Sequence, residues 1–439
     1  MATHSSLKTS RLTPVSIPWD LLASIVNVAD FRTLKILNLV CKDFEEEAAR
    51  RLWRIITIFT ARHDQCEARQ HIYTKLEIIR RHVKHLDEIR FGSYSVYRQV
   101  WQQEDPLPFL QTLFCLLNQS CLRGLSIGLF TDCPAMRSMV RSHGLPSNLR
   151  RLDLVPSETD LGQLGKSLHT LQFLRLHSPK SIPFSAFAAS PLVPKSLSLS
   201  LPPHSTFSTL RTLKMDSLER LGDLQHCSFP LLEHLSLSGI HRESIDAIVT
   251  LLSGLSPDPN HRYSSATSLP TLRSLSLRIA PQLSIDFSNS ALCSSLLLHS
   301  RIQSSGVLAH METLDILHEE FPTQALFDST LLQILEAFVD LKHFRCDILI
   351  DGRNYTSYTP LVISEHTLRA AFSRDSRATQ SCQRLEEIVL NSLVWRDTGE
   401  IIRPSPWVRK YRARTPQLDG REHEDAAWEV VDERMNSLW

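Results

Sequence analysis

The residues able to do chemistry are few. Gly124-Leu125-Ser126-Ile127-Gly128 matches G-x-S-x-G, the turn that lifts a nucleophilic serine above the sheet of an α/β-hydrolase. Such a turn needs a buried apolar strand immediately before the serine and a helix immediately after it. Here Asn118-Gln119-Ser120 lies upstream, and Leu125 and Ile127 are themselves the inward positions of a strand-like alternation. Hydrolysis through Ser126 is therefore the least favoured reading. His82 and His85 are three residues apart on a predicted helix, but no carboxylate or cysteine set accompanies them, so they read as solvated side chains, not metal ligands. Nine cysteines are scattered without a C-x-x-C pair, which predicts reduced, mostly buried thiols and neither a disulfide framework nor a zinc site. No P-loop, G-x-G-x-x-G, H-E-x-x-H or calcium-loop pattern occurs. The expectation is a protein that is not an enzyme, with no cofactor and no metal.

What must position these residues is written in the composition. The 439 residues carry 48 Lys and Arg against 47 Asp and Glu, a formal net charge of +1. Nucleic-acid-binding domains normally carry a basic excess, so none is expected as a partner. Only 13 residues are glycine, while 69 are leucine. Glycine this scarce leaves few places for backbone to wrap a phosphate. The first residues are polar, with no apolar core of a signal peptide, and no apolar run reaches the ~18 residues of a membrane span. The chain is expected to be cytoplasmic, nuclear or both, without a membrane partner.

The leucines recur as L-x-x-L-x-L. Copies start at Leu86, Leu122, Leu149, Leu171, Leu210, Leu232, Leu272, Met311, Leu341 and Leu385, with Ile, Phe, Met or Cys at some apolar places. Steps such as Leu149 to Leu171 and Leu210 to Leu232 fall within the ~20–29 residues of a leucine-rich repeat, whereas Leu232 to Leu272 and Leu341 to Leu385 do not. In such a repeat the segment is a short strand whose leucines enter a stacked core while the x residues face outward on a concave sheet. That placement makes Arg150, Arg151, Arg211, Glu233, His234, Arg273, Lys342 and Glu386 candidate partner-binding residues of mixed charge. The Asn or Cys that normally follows each strand is absent: Phe130, Ser157, Pro179, Leu218 and Ile240 stand there. An irregular array is expected.

The first sixty residues carry a second pattern. Three short amphipathic helices are predicted, the second starting after Asp30 as its N-cap and the third running from Phe44 to Arg54. Their apolar surface exceeds what so small a unit hides by itself. The series Ile17-Pro18, Leu21-Leu22, Ile25, Leu34, Leu37, Val40-Cys41-Lys42-x-Phe44, Ala48 and Leu52-Trp53-Arg54-x-Ile56 resembles the F-box, in the form common in fungal proteins. It departs from that family at Val28-Ala29, where a leucine is usual. The resemblance implies docking to the Skp adaptor of a cullin-RING ubiquitin ligase, with Ile17, Pro18, Leu21, Leu22, Ile25, Leu34, Leu37, Val40, Phe44 and Trp53 forming or supporting the docking face.

The expected architecture is α/β: a tail (1–13), the three-helix F-box-like module (14–60), a linker helix (61–84), an irregular leucine-rich-repeat solenoid of parallel strands alternating with helices (85–395), and a capping tail (396–439). Pro/Ser-rich insertions are expected near 178–208 and 253–270, and Ala427, Trp428, Val431, Met435 and Leu438 predict a C-terminal amphipathic helix. The function expected is substrate reception for an SCF-type ligase, holding an unidentified protein target. A leucine-rich-repeat scaffold without a ubiquitination role is the alternative.

Overall fold

A computed structural model describes residues 18–40, 42–58, 65–91, 107–120, 122–126, 139, 142–143, 145–154, 169–176, 206–216, 218, 221–224, 227–255, 272–280, 292–319, 321, 323–338, 340–351, 362–372, 384–395, 401–402, 408–413 and 428–433. The N-terminal module is helical, with α1 (Trp19–Val28), α2 (Phe31–Leu37) and α3 (Lys42–Leu52). Asp30 caps α2 as its position predicts, accepting from the Thr33 amide at 2.7 Å, and these hydrogen bonds hold its carboxyl below the ordinary carboxylate range. Leu22, Val26, Ala29, Leu34, Phe44, Ala48 and Leu52 form a small core separate from that of the rest of the chain.

Among the described residues the strands form one sheet of fourteen. In chain order they are β1 (Ile55–Ile58), β2 (Glu88–Phe91), β3 (Gly124–Ser126), β4 (Arg151–Leu154), β5 (Phe173–Leu176), β6 (Thr212–Met215), β7 (His234–Ile240), β8 (Ser274–Ile279), β9 (Thr313–Glu319), β10 (His343–Asp351), β11 (Glu387–Trp395), β12 (Ile401–Ile402), β13 (Val408–Ala413) and β14 (Trp428–Glu433). β1 to β11 lie side by side in sequence order, every neighbour parallel. Each L-x-x-L-x-L segment supplies one strand. The register aligns Ile89, Leu125, Leu152, Leu174, Leu213, Leu235, Leu275, Leu314, Phe344 and Ile388 in one row. Every member of that row is at most 2% exposed, so the predicted inward face is the real one.

Between the strands run α4 (Gln65–His82), α5 (Leu107–Gln119), α6 (Leu221–Leu224), α7 (Ile245–Gly254), α8 (Leu292–Leu297), α9 (Ser300–Ser305), α10 (Gln324–Ala337) and α11 (Glu365–Phe372). Their apolar residues, among them Phe114, Leu252, Leu297 and Leu331, share one continuous core with the inward leucines. Entry into a strand repeats a small turn. The amide of the first leucine donates to a carbonyl three residues back at Val83–Leu86, Phe207–Leu210, Phe229–Leu232, Leu308–Met311 and Phe338–Leu341, at 3.2 to 3.3 Å. Phe207 is fully buried and stacks on Phe229 at 5.1 Å. The Pro/Ser-rich segments predicted near 178–208 and 253–270 otherwise lie outside the described residues, apart from Thr206–Ser208 and the end of α7 with Leu255.

Three features differ from the sequence expectation. β1 lies inside the range predicted for the helical module and pairs with β2, because Trp53-Arg54-Ile55-Ile56-Thr57-Ile58 is one more copy of the repeat with tryptophan in the first apolar place. β7 to β11 run for six to nine residues where the pattern predicts short strands, since their apolar alternation continues through Ile240, Ile279 and Ile348. Trp428–Glu433 is a strand where a helix is predicted. Its β-branched Val430 and Val431 suit a strand, and its register sets Glu429 and Asp432 opposite Arg412 and Arg409 of the antiparallel β13. β13 in turn pairs antiparallel with β11, so the tail closes the parallel array with strands.

Two bulges change which side chains face inward. In β7 the extra residue is Gly239 at φ 78°, and in β9 it is His318 at φ 66°. Each restores an inward position one residue late, at Ile240 and at Glu319, both 0% exposed. A β-branched residue tolerates positive φ poorly. His318→Val is expected to cost about 1–3 kcal/mol, visible as a lower urea midpoint at unchanged m value.

Candidate functional site

The ten residues implicated in docking fall into distinct environments. Leu22, Leu34 and Phe44 are buried in the module core, with Ile25, Leu37 and Trp53 packed partly against it. Pro18, Leu21 and Val40 are exposed, and Ile17 lies outside the described residues. What remains open to solvent is a different apolar set: Leu21, Val28, Phe31, Ile36, Leu39 and Val40, between 57% and 86% exposed. Six of the eleven exposed large apolar side chains among the described residues thus fall in one stretch of twenty on α1, α2 and the turn after it. Val28, Phe31, Ile36 and Leu39 are absent from the set the resemblance implies. The signal for them is arithmetic: α2 and its exit turn hold more apolar residues than one stripe of a seven-residue helix can bury. The Lys35 ammonium sits 4.6 Å from the centre of the Phe31 ring.

Trp53 joins the module to the sheet. Its ring stacks on His82 of α4 at 4.8 Å with 17° between planes. Burial, then the nearby His85, Arg81 and Lys84 charges, lower the His82 pKa, with Glu45 opposing, so the stacked ring is neutral near pH 7. Trp53→Ala removes this contact and part of the module core. It is expected to cost about 3 kcal/mol, measured by chemical denaturation.

The open face of the sheet is built from the x positions. Immediately before each strand, a carbonyl accepts two consecutive amides from the next: Arg54 from Asp87 and Glu88, Asp87 from Arg123 and Gly124, Arg123 from Arg150 and Arg151, and so on to Lys342 from Glu386 and Glu387. This stacks Arg54, Asp87, Arg123, Arg150, Gln172, Arg211, Glu233, Arg273, Glu312, Lys342 and Glu386 into one column. The predicted partner-binding residues Arg150, Arg211, Glu233, Arg273, Lys342 and Glu386 all stand in it, and Arg151 and His234 in the next column over. Many of these charges are engaged with each other. Arg211 pairs with Glu233, Arg273 with Glu312 at 3.6 Å, and Lys342 with Glu312 at 3.0 Å. The hydrogen bond from Lys342 and its charge lower the Glu312 pKa.

The charge is not evenly mixed. From β3 to β6 the column reads Arg123, Arg150, Gln172, Arg211 without a carboxylate; Arg151, Arg175 and Lys214 stand beside it, Arg151 3.6 Å from Glu88 and Arg175 2.9 Å from Asp216. Phe173 is at the centre of this half, with the Arg151 guanidinium 4.2 Å and the Lys214 ammonium 5.9 Å from its ring centre. A shallow depression of ≈ 420 Å³ extends from Phe173 and Lys214 across Ser236 and Ser276 to Asp315. Sequence reading names Arg150 and Arg151 here but not Phe173, Lys214 or Asp315.

Ser126 lies on strand β3 itself and donates to Asp153 Oδ2 on the adjacent strand at 3.2 Å. Gly124 packs closely, since a Cβ there would lie 2.7 Å from the Glu88 side chain. Cys293 and Cys346 are buried, and burial with the neighbouring Glu319 raises both thiols well above their ordinary range, which suppresses thiolate chemistry; Cys115 is exposed. Among the described residues no three His, Cys, Asp or Glu side chains converge as metal ligands, and no helix is long and apolar enough to cross a membrane. No protein-family model matches the chain, and no curated protein matches it either.

Proposed function

We propose that this chain is an F-box-type substrate receptor: the N-terminal helices bind the Skp adaptor of a cullin-RING ubiquitin ligase, and the open sheet face holds a protein target. The observation that carries the reading is the cluster Leu21, Val28, Phe31, Ile36, Leu39 and Val40, exposed on a module that has its own buried core. A folded unit that leaves six large apolar side chains in water within one stretch of twenty residues is built for a partner. The sequence resemblance names that partner, and the docking surface consists of the apolar residues just given, supported from beneath by Leu22, Leu34 and Phe44.

The rest of the chain is read as an irregular leucine-rich-repeat-like solenoid. Two features support this: eleven parallel strands in strict chain order, and, among the described residues, helices that share the core with the inward leucine rows while most of the alternating positions of the strands stay wholly or partly exposed. Parallel sheets in other α/β folds are normally covered on both faces. The target meets the exposed face, and the Arg-rich half around Phe173 favours an acidic segment there. Ubiquitin transfer then needs no reactive group in this chain, because the receptor raises the local concentration of target beside a conjugating enzyme carried by other subunits. Such a receptor works in the cytoplasm or nucleus. The test is co-expression with the adaptor and a cullin-RING core. The reading predicts a complex that survives size-exclusion chromatography, and a chain that elutes alone would refute it.

A further inference from the structure

Where the module meets the first strands, cations crowd into a cleft of ≈ 480 Å³. Three separate segments supply them: Arg50 and Arg51 from the last turn of α3 with Arg54 just beyond, Lys84 and His85 from the turn before β2, and Arg123 from the lead into β3. Five permanently cationic side chains line it beside two carboxylates, Glu47 and Asp87, and a third, Glu46, lies 3.9 Å from Arg50. All three carboxylates are already committed. Asp87 accepts from Arg54 Nε at 2.9 Å and lies 4.0 Å from Arg123 Nε, while Glu47 lies 3.1 Å from Arg50. Arg51 donates to the Val26 carbonyl at the end of α1. Among the described residues Lys84 has no ion-pair partner. The crowding is felt by His85, whose pKa is lowered by burial first and then by Lys84 and Arg50, with Glu46 and Glu47 opposing.

We propose that this junction is a binding site for a small soluble anion carrying two or more phosphate groups, which bridges α3 to the leads into β2 and β3. Single phosphates satisfy one or two of these groups at a time; the surplus of cations on three segments calls for a multivalent ligand. Guanidinium groups bind phosphate oxygens in pairs and Lys84 adds a point charge. Repulsion among these cations across the junction becomes attraction when the anion enters, so binding stiffens the attachment of the adaptor-docking module to the sheet. The site shares no residue with the exposed apolar face or with the depression beside Phe173. It stands independently of the ligase reading.

The probe is inorganic tripolyphosphate, added to the full chain and followed by thermal unfolding and by calorimetry, with sodium sulfate at matched ionic strength as reference. Tripolyphosphate is expected to raise the unfolding temperature saturably while sulfate does not. The pair Lys84→Gln/Arg123→Gln, both exposed side chains, is expected to unfold at an unchanged temperature without ligand and to weaken tripolyphosphate binding at least about tenfold, whereas Lys84→Arg retains it. Loading with the anion should also raise the His85 pKa in a histidine NMR titration. Equal shifts from sulfate and tripolyphosphate, or equal affinity in the double Gln variant, would overturn the site. Capture by phosphoinositide vesicles without any effect of free tripolyphosphate would overturn the assignment to a soluble anion.

Discussion

Glu319→Gln is expected to stabilise the protein at pH 8 by about 2–4 kcal/mol and to leave it nearly unchanged at pH 4. Glu319 is fully buried at the end of β9 and accepts the Cys293 amide at 3.0 Å, with hydrogen bonds from Leu292 and Ser294 as well. Burial dominates over these bonds and raises its pKa from 4.5 to about 8. Between those two values the native state holds a proton that the unfolded chain has released. Stability contributed by the protonated carboxyl is therefore complete below about 4.5, declines as pH rises, and is gone above about 8. Glutamine keeps an acceptor for the α8 amides and never ionises. Urea unfolding of both proteins at pH 4, 6 and 8 measures the effect, and parallel profiles would show that Glu319 titrates normally.

Ile36→Asp/Leu39→Asp is expected to reduce adaptor affinity at least about 100-fold, since two truncations at the centre of an apolar interface each cost about 2 kcal/mol or more. Both side chains are exposed, at 64% and 85%, so thermal stability should stay within about 0.5 kcal/mol of the parent. Leu22→Asp is the contrasting control. At 2% exposure it places a charge in the module core and should unfold the module itself. Measuring unfolding and adaptor binding on the same samples separates a lost interface from a lost fold. Undiminished binding by the Ile36/Leu39 variant would remove this face from the docking surface.

The parallel strands were largely legible because their signal is strictly local. Three apolar places at fixed spacing suffice to mark each of β2 to β11, and register follows once the leucine rows must coincide in one core. β1 was harder to see because Trp53 holds the place of the first leucine in a stretch that also completes the helical motif. The buried position of Glu319 was illegible for a different reason. It depends on His318 adopting a positive φ, a backbone state that the residue type does not announce. In sequence the tail reads as a helix because Trp428, Val431 and Met435 satisfy a helical period, while the partner that makes Trp428–Glu433 a strand lies some fifteen residues upstream in β13.

At the candidate site, the helical period identifies apolar stripes but not which stripe faces the chain's own core. Leu34 and Leu37 turn inward in α2, and Ile36, between them, and Leu39, two residues beyond, are left outside. On the sheet, alternation correctly assigns the outward rows. It does not say that Arg123, Arg150 and Arg211 become near neighbours in one column, because that follows from how many residues each crossover contains.

On the proposed function, the exposed apolar side chains of α1 and α2 bind the Skp adaptor. Isothermal titration of the full chain with purified adaptor, repeated at several temperatures, tests it most directly. The expected result is one adaptor bound per chain with a negative heat-capacity change, the mark of apolar surface leaving water. No binding, or binding whose heat capacity is unaltered by Ile36→Asp/Leu39→Asp, would contradict it.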